Sequence, residues 1–485
     1  MNRFLCILAC GVPLMAASAA LPQTSGQTGP SLAETYKADS ENLMAAALED
    51  GEGYANLTYL TDHIGKRISG SASLDRAVAW SLELMKKEGL TNVTVQPVMV
   101  PKWVRGTESA AIVSPMEKPL HMLGLGMSVG TAPGGVTAEV VVVPSFDALN
   151  ALGRAGIEGK IVVLNAPYVS YGRTVIYRTV GPSRAAAFGA VGVLVRSITP
   201  LAMQIPHTGT LVYQAGVPQI PAAAISLEDA MLLERLTAEG KPVKVHLEME
   251  AHREPDVQSG NVMGELVGSE HPEEMVVVGG HIDSWDVGQG AQDDGSGIMA
   301  TLAAVAEIKK LGMVPKRTIR VVFWVNEENG EAGGKAYRAM LGDKLSTQVA
   351  AIEMDGGAEA PVGYGYGFGR GRMRPAAGTA AVLSPEQQSL ELLDQIGTLL
   401  EPIGAGKITA GGGGSDIEPM MLDGVPGLGE RTTGAHYFDW HHTEADTLDK
   451  VDPMDFRKNV ASLAVMTWVL ADMPVRLAGH VAEPR

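Results

Sequence analysis

Five short segments in the second half of the chain end in side chains that commonly bind metal ions. They are His281-Ile282-Asp283, Asp293-Asp294, Glu327-Glu328, Asp355 with two glycines after it, and His441-His442. Each segment alone is weak evidence, since Asp-Asp-Gly usually forms a turn and a Glu-Glu pair is usually solvated. Their joint occurrence, at successive junctions between strands and helices, indicates a metal site built from imidazoles and carboxylates.

Two histidines and three carboxylates match the needs of a pair of zinc ions. Such ions lie about 3.5–4 Å apart in hydrolytic sites and share one carboxylate, and a water between them needs a base nearby. Glu327 is the candidate for that base, because its carboxylate would stay free while Glu328 binds metal. Asp283 is spaced to hold the other imidazole nitrogen of His281, although an ordinary turn residue is the alternative.

Strands alternate with helices around these segments, which predicts a mostly parallel sheet flanked by helices. Strands are predicted over 274–280, 317–326 and 348–355, and helices over 296–312 and 384–404. In an open α/β sheet, ligands bind outside the carboxyl ends of the strands. Side chains that are far apart in sequence therefore converge on one crevice.

Residues 120–250 have a different pattern from the rest of the chain. Short β runs at 138–143, 159–164 and 191–196 dominate, with helical stretches at 183–190 and 227–240. No cluster of His, Asp and Glu with ligand-like spacing lies among them. We therefore expect an inserted α/β module without chemistry of its own, placed in a catalytic domain formed by 21–119 and 251–485.

Composition limits the partners of the protein. Of 485 residues, 45% are hydrophobic and 19% are charged, and the formal net charge is −17. A packed core is therefore expected, and global disorder is excluded. The acidity argues against nucleic acid or an anionic membrane as a partner.

The N-terminus predicts export. Residues 1–20 hold one arginine, a short apolar stretch and a tail of small residues, which is the pattern of a cleaved signal peptide. We expect a periplasmic or extracellular protein, and no other run predicts a membrane span. Both cysteines, Cys6 and Cys10, would leave with the signal peptide. Any metal must then be bound by His, Asp and Glu.

The motifs resemble the co-catalytic zinc exopeptidases of the aminopeptidase Y and S type. The resemblance lies in HIDSWDVGQGAQDDGSG (281–297), NEENG (326–330), EMDGG (353–357) and HHTEADT (441–447). It implies the zinc-exopeptidase fold, two Zn²⁺ per chain and the hydrolysis of dipeptides or short peptides. It also implies a homodimer, and it identifies residues 120–250 as similar to a protease-associated domain.

The same resemblance implies a role for each ligand. Asp293 would bridge the two zinc ions. His281 and Asp355 would complete the coordination of one ion. Glu328 and His442 would complete the coordination of the other.

Further roles follow from the family pattern His-Thr/Ser-x-x-Asp-Thr, which selects His442 rather than its neighbour His441 as the ligand. Glu327 would be the general acid and base. The peptide bond after the bridging aspartate is often cis in such enzymes, so Asp293-Asp294 is expected to be cis.

Two other segments are candidates for substrate contact. Arg370 and Arg372 could grip a substrate carboxylate, although a solvated basic loop is the simpler interpretation. Asp416 follows four glycines. It would either meet a free amino group or cap a helix that starts at Ile417.

Two other functions stay open. A non-catalytic binding protein on the same fold would have lost metal ligands, whereas all five ligand positions are filled here. A transferase similar to glutaminyl cyclase would use one zinc ion, and both the inserted module and the full ligand set argue against it. The sequence leaves open which end of the substrate is recognised, and which metal is used in the cell.

Overall fold

A computed structural model describes residues 30–367 and 384–478. The predicted signal peptide at 1–20 and the two candidate arginines, Arg370 and Arg372, lie outside the described residues. Among the helices that are described, none has both the length and the apolar character needed to span a membrane.

Strands and helices alternate along most of the described chain. The strands are β1 Thr91–Val104, β2 Glu108–Ser114, β3 Lys118–Pro119, β4 Met122–Gly124, β5 Val136–Val143, β6 Ile161–Leu164, β7 Gly192–Arg196, β8 Ala222–Ile225, β9 Lys244–Met249, β10 His252–Leu266, β11 His271–His281, β12 Arg317–Trp324, β13 Gln348–Glu353, β14 Pro361–Gly367, β15 Lys407–Ala410 and β16 Gly427–Thr432. The helices are α1 Leu32–Thr35, α2 Lys37–Glu49, α3 Glu52–Tyr59, α4 Ala72–Lys87, α5 Phe146–Ile157, α6 Tyr171–Thr174, α7 Ile176–Thr179, α8 Gly181–Ala187, α9 Leu227–Ala238, α10 Ser296–Lys310, α11 Ala332–Leu341, α12 Pro385–Leu400, α13 Glu418–Leu422, α14 Tyr437–Trp440 and α15 Pro453–Asp472. The predicted strands and helices around the metal-binding segments are therefore present, with ends shifted by a few residues.

The first sheet carries the predicted metal-binding segments. Its strand order is β1-β10-β12-β11-β13-β16-β14-β15. The central strands β12, β11, β13 and β16 are parallel to one another, whereas β10 and β14 pair antiparallel with β12 and β16. This mixed sheet with a parallel centre confirms the expected fold class.

Strand β11 shows why the centre of this sheet needs helices on both faces. Val276 and Val278 pack into the core that contains α10 and α15. Val277, between them, packs on the other face with residues of α11 and α13. Because alternate side chains point to opposite faces and both faces are buried, the strand is a continuous apolar run.

The second sheet contains the strands of residues 120–250, the segment that the sequence predicts to be an inserted module. Its strand order is β3-β2-β9-β5-β6-β7-β8-β4. Strands β2 and β3 come before residue 120 and also pair with this sheet. Nothing in the local pattern of these two short strands shows which sheet they join.

Candidate metal centre

The ends of three parallel strands bring the predicted ligands together. His281 is the last residue of β11, which pairs with β12 on one side and β13 on the other. Glu327 and Glu328 follow β12, and Asp355 follows β13 by two residues. Since parallel strands end at one edge of the sheet, these side chains share a crevice, as the sequence predicted.

Asp293 lies at the middle of the site, in the buried turn before α10. Its Oδ1 is 3.1 Å from Nε2 of His281, and its Oδ2 is 3.3 Å from Nε2 of His442. Each carboxylate oxygen therefore faces a different imidazole. This is the arrangement expected of a carboxylate that bridges two ions.

One group of possible ligand atoms consists of His281, Asp293 and Asp355, whose atoms all lie within 4.8 Å of one another. Nε2 of His281 is 3.5 Å from Oδ1 of Asp355. The Asp355 side chain keeps 21% of its surface exposed, so this group borders solvent.

The second group lies around His442, whose Nε2 is 3.1 Å from Oε2 of Glu328. A further set within 4.8 Å combines Asp293 with both His441 and His442. Nε2 of His441 is 3.6 Å from Oδ2 of Asp293, and the two imidazole rings stack with centroids 3.5 Å apart. His441 is thus close enough to be an additional candidate, which the sequence pattern had set aside.

The charge of the site fits divalent cations. Burial, reinforced by the charge of Asp293, raises the pKa of Glu328 to about 7. Burial opposes ionisation of Asp293 as well, but the neighbouring imidazoles of His281 and His442 hold its pKa well below the usual value. Oδ2 of Asp293 and Oε1 of Glu328 are buried and accept no hydrogen bond. Imidazole and carboxylate ligands with free oxygen atoms are what zinc binds.

The two adjacent glutamates differ in exposure. Glu328 is 5% exposed, whereas Glu327 is half-buried at the crevice. Burial, followed by the negative charges of Asp355 and Glu328, raises the pKa of Glu327 well above its ordinary value. Glu327 therefore combines access to solvent with a high affinity for a proton, as a general base requires.

Asp283 contacts His281 through an unexpected atom. Nδ1 of His281 is 3.0 Å from the main-chain oxygen of Asp283, while the Asp283 carboxylate lies 3.9 Å away. That carboxylate instead accepts the N–H of Glu327 at 3.1 Å and the hydroxyl of Ser69 at 3.3 Å. The same residue thus holds the ligand with its backbone and the glutamate pair with its side chain.

Two residues that sequence reasoning missed hold the ligand-bearing loop. Arg67 is fully buried, and its guanidinium donates to the carbonyls of Gly65, Ile282, Gln289 and Gly290 at 2.8–3.1 Å. No local motif marks Arg67, which comes 215 residues before Ile282. It acts as a brace across the loop between His281 and Asp293.

The other residue is Asp446, which lies within the HHTEADT motif. Its carboxylate accepts the backbone N–H groups of Ala291, Gln292 and Asp293 at 2.7–3.2 Å. Burial raises its pKa to about 7. The motif that contains His442 therefore also fixes the turn that contains the bridging aspartate.

Two more sequence expectations can be compared with the structure. The Asp293-Asp294 peptide bond is cis. Asp416 does not cap a helix, since α13 begins at Glu418 and no side chain caps it. Both Asp416 oxygens are buried without a hydrogen bond, so the prediction of a helix cap is wrong.

A cavity of about 340 Å³ opens beside the first ligand group. Asp355 and Glu430 lie in its wall, together with the aromatic residues Tyr437 and Phe438 and the cationic residues Lys407 and Arg431. Both cations are exposed. A substrate whose reacting bond lies at the metal centre can therefore place a negatively charged end in this cavity.

Comparison with known proteins agrees with this geometry. The sequence model of peptidase family M28 matches residues 261–467, a span that contains every candidate ligand. A crystal structure of a peptidase M28 precursor from Shewanella amazonensis SB2B is 34% identical, with a TM-score of 0.84, over 92% of this chain and 99% of that one. The chain belongs to peptidase family M28 and is a zinc metallopeptidase. The resemblance drawn from the motifs is thereby confirmed.

Among the relatives in this family is carboxypeptidase Q. The protein of that name from Mus musculus is 38% identical over 432 residues, which are 89% of this chain and 88% of the relative. A zinc aminopeptidase from Bacillus subtilis shares the fold, with a TM-score of 0.64 at 19% identity over 88% of this chain and 96% of that one.

Proposed function

We propose that this chain is an exported exopeptidase that binds two zinc ions and hydrolyses dipeptides or short peptides. Asp293 carries the proposal, because its two carboxylate oxygens face two separate imidazoles. In this assignment His281 and Asp355 hold one ion, and Glu328 and His442 hold the other. A predicted signal peptide supports export, and the predicted homodimer and protease-associated domain belong to the same proposal.

Glu327 performs the proton transfers in this proposal. When bound, zinc supplies Lewis-acid chemistry, which polarises a peptide carbonyl and lowers the pKa of a water. The Glu327 carboxylate takes a proton from the attacking water, whose oxygen bonds to the carbonyl carbon. When the C–N bond breaks, Glu327 passes that proton to the leaving amine. The Asp283 carboxylate, bonded to the N–H of Glu327, keeps the base aimed at the crevice.

The cavity beside Asp355 supports recognition of a free carboxylate. Lys407 and Arg431 place two positive charges in its wall, and a guanidinium can bind a carboxylate through two hydrogen bonds. The relatives named carboxypeptidase Q are consistent with such a substrate. We therefore propose substrates with an unblocked C-terminus, such as dipeptides.

A panel of dipeptides with free, N-blocked and C-blocked ends tests the proposal. We expect rapid hydrolysis of free dipeptides, slower hydrolysis when the carboxylate is amidated, and no hydrolysis after chelation. Metal analysis of the purified protein should give two zinc ions per chain. One ion per chain would contradict the bridging role of Asp293.

The same samples discriminate the alternatives. A non-catalytic binding protein would contain almost no zinc and would hydrolyse no peptide in the panel. A transferase similar to glutaminyl cyclase would cyclise a peptide that begins with glutamine. Either result would replace the proposed function.

A further inference from the structure

The inserted module touches the histidine pair of the metal centre. Thr208 and His207 lie in the connection between β7 and β8, alongside His441 and His442. The Thr208 N–H donates to the carbonyl of His442 at 3.0 Å, and Nδ1 of His207 is 2.7 Å from the carbonyl of His441. His207 and His441 are 234 positions apart, so only the tertiary fold brings these segments together.

A carbonyl of the module faces the ring of His442. Nδ1 of His442 is 3.3 Å from the main-chain oxygen of Thr208, while its Nε2 points to Glu328. The ring is thus held at its Nδ1 edge, which leaves Nε2 directed at the carboxylates, where a metal ligand needs it.

Arg178, also from the module, holds that carbonyl. The side chain is buried, and its Nη1 donates to the Thr208 oxygen at 3.1 Å, while Nη2 donates to the Tyr171 hydroxyl at 2.8 Å. Nη1 also lies 3.5 Å from Nδ1 of His442. Among the described residues it forms no salt bridge with a carboxylate. A buried guanidinium without an acidic partner is costly, so stability alone does not account for it.

The backbone next to Thr208 is shaped around this arginine. Gly209 has φ of +136°, and a Cβ added there would lie 2.2 Å from Cζ of Arg178. Any side chain at 209 would therefore displace the guanidinium. Behind His442, the guanidinium of Arg178 therefore packs directly against Gly209 and the Thr208 carbonyl.

We propose that Arg178 is a positioning residue for the zinc ion at His442. It fixes the Thr208 carbonyl, which in turn orients the His442 ring, and its Nη1 also borders that ring directly. The inserted module thus takes part in the metal centre without contributing a ligand. The inference rests on the two-zinc centre proposed above.

Zinc binding tests the inference without relying on activity. The metal-stripped mature enzyme is titrated with zinc against a chromophoric chelator, and Arg178→Met is compared with the parent protein and with Arg173→Met. Arg173 is an exposed arginine of the same module. We expect Arg178→Met to weaken one of the two zinc equivalents by about 10- to 100-fold and to leave the other unchanged. Arg173→Met should bind both as the parent does.

Two results would overturn the inference. Arg178→Met could bind both equivalents as tightly as the parent, or it could lose both to the same extent, which would indicate a general structural defect. A parent protein that binds a single zinc would instead contradict the proposed function. If Arg178→Met fails to fold by circular dichroism, Arg178→Lys replaces it. Lysine keeps the charge but has a single nitrogen in place of the two guanidinium nitrogens that contact the Thr208 oxygen and the Tyr171 hydroxyl. The same equivalent should therefore weaken, and parent-like affinity would overturn the inference.

Discussion

The two proposed histidine ligands, His281 and His442, are held in different ways. Nδ1 of His281 meets the carbonyl of Asp283, only two residues further along the chain. Nδ1 of His442 meets the carbonyl of Thr208, which is 234 residues away and lies in the inserted module. The first half of the centre is therefore built by a local motif at the edge of the sheet, and the second by contact between two sheets. Perturbing each half should have distinguishable consequences.

The largest effect, on turnover, is expected at Glu327, the proposed base for the attacking water. Glu327→Gln removes the proton acceptor but keeps the size of the side chain, so turnover should fall by about 10²- to 10⁴-fold. Zinc content should not change, because Glu327 is assigned no metal. Steady-state rates and metal analysis on the same preparation check this.

A matched control for that prediction is Glu270→Gln, which changes an exposed glutamate outside the site. It should behave as the parent does. Substantial activity in Glu327→Gln, with zinc retained, would show that another group is the base.

Removing Asp293, the ligand proposed to be shared by both zinc ions, should weaken the binding of both ions rather than of one. Asp293→Ala takes away the carboxylate that faces both His281 and His442, so affinity for both zinc equivalents should fall by about 100-fold or more. By contrast, His442→Ala should weaken mainly one equivalent. Calorimetric titration with zinc separates these outcomes, and a variant of Asp293 that loses only one equivalent would contradict the bridging assignment.

Arg67, which braces the loop between His281 and Asp293, should contribute to the free energy of unfolding. Arg67→Met leaves four carbonyls, two of them buried and two partly buried, without their guanidinium donor, and we expect the free energy of unfolding to fall by about 3 kcal/mol. Denaturant unfolding in the presence of a chelator excludes a contribution from zinc. Arg76→Met, at an exposed helix position, is the control. If Arg67→Met lowered zinc affinity but not stability, Arg67 would act on the metal centre as we propose for Arg178, and the contrast between the two halves would be wrong.

A smaller effect is expected at the substrate cavity. Arg431→Met should raise KM about tenfold for a dipeptide with a free carboxylate, because one charge-assisted contact is lost. The same variant should leave KM for the C-amidated dipeptide almost unchanged. The exposed Arg235→Met is the control, and equal effects on both substrates would argue against carboxylate binding there.

The smallest effect concerns pH and the buried carboxyl group of Glu430, which lies in the wall of the cavity that also contains Asp355. Burial raises the pKa of Glu430 to about 8, so the folded protein keeps this proton above pH 4.5, where the unfolded chain loses it. The resulting stabilisation is complete below the unfolded pKa and is lost as pH rises towards 8.

Glu430→Gln should therefore match the parent near pH 5 and melt about 2–4 °C higher near pH 8. Melting curves between pH 5 and pH 8 check the sign of this difference in melting temperature. Glu41→Gln, at an exposed site, should show no such trend, and a parallel pH dependence in Glu430→Gln and the parent would contradict the shift.

The sequence alone was enough to predict the half of the metal centre that forms at the strand ends around His281. Strand ends followed by His281, Glu328 and Asp355 predicted both the fold class and the convergence of the side chains, since parallel strands end at one edge. It did not contain the partners of Arg67 and Arg178, whose side chains bond to backbone atoms of distant segments. Backbone acceptors have no residue signature, so such contacts become visible only in three dimensions.

Three differences have similar causes. The carbonyl of Asp283, rather than its carboxylate, meets His281, because the chain turns directly after the strand. Asp416 looked like a helix cap, but the helix starts two residues later, at Glu418. The second sheet includes β2, before residue 120, because the pairing of β2 with β9 depends on residues more than a hundred positions away.

The neck between the two sheets consists of only two short crossings, 105–107 and 250–251. These crossings bond to each other: the Glu250 N–H donates to the carbonyl of Thr107 at 3.0 Å, and the Thr107 N–H donates to the Glu250 carboxylate at 2.8 Å. For protein engineering, this neck is an obvious place to excise the module or to exchange it with that of a relative. A chimera made there would keep all five proposed ligands yet lose the carbonyl behind His442. Grafts at this neck should therefore carry the 178–209 region of the original enzyme with them.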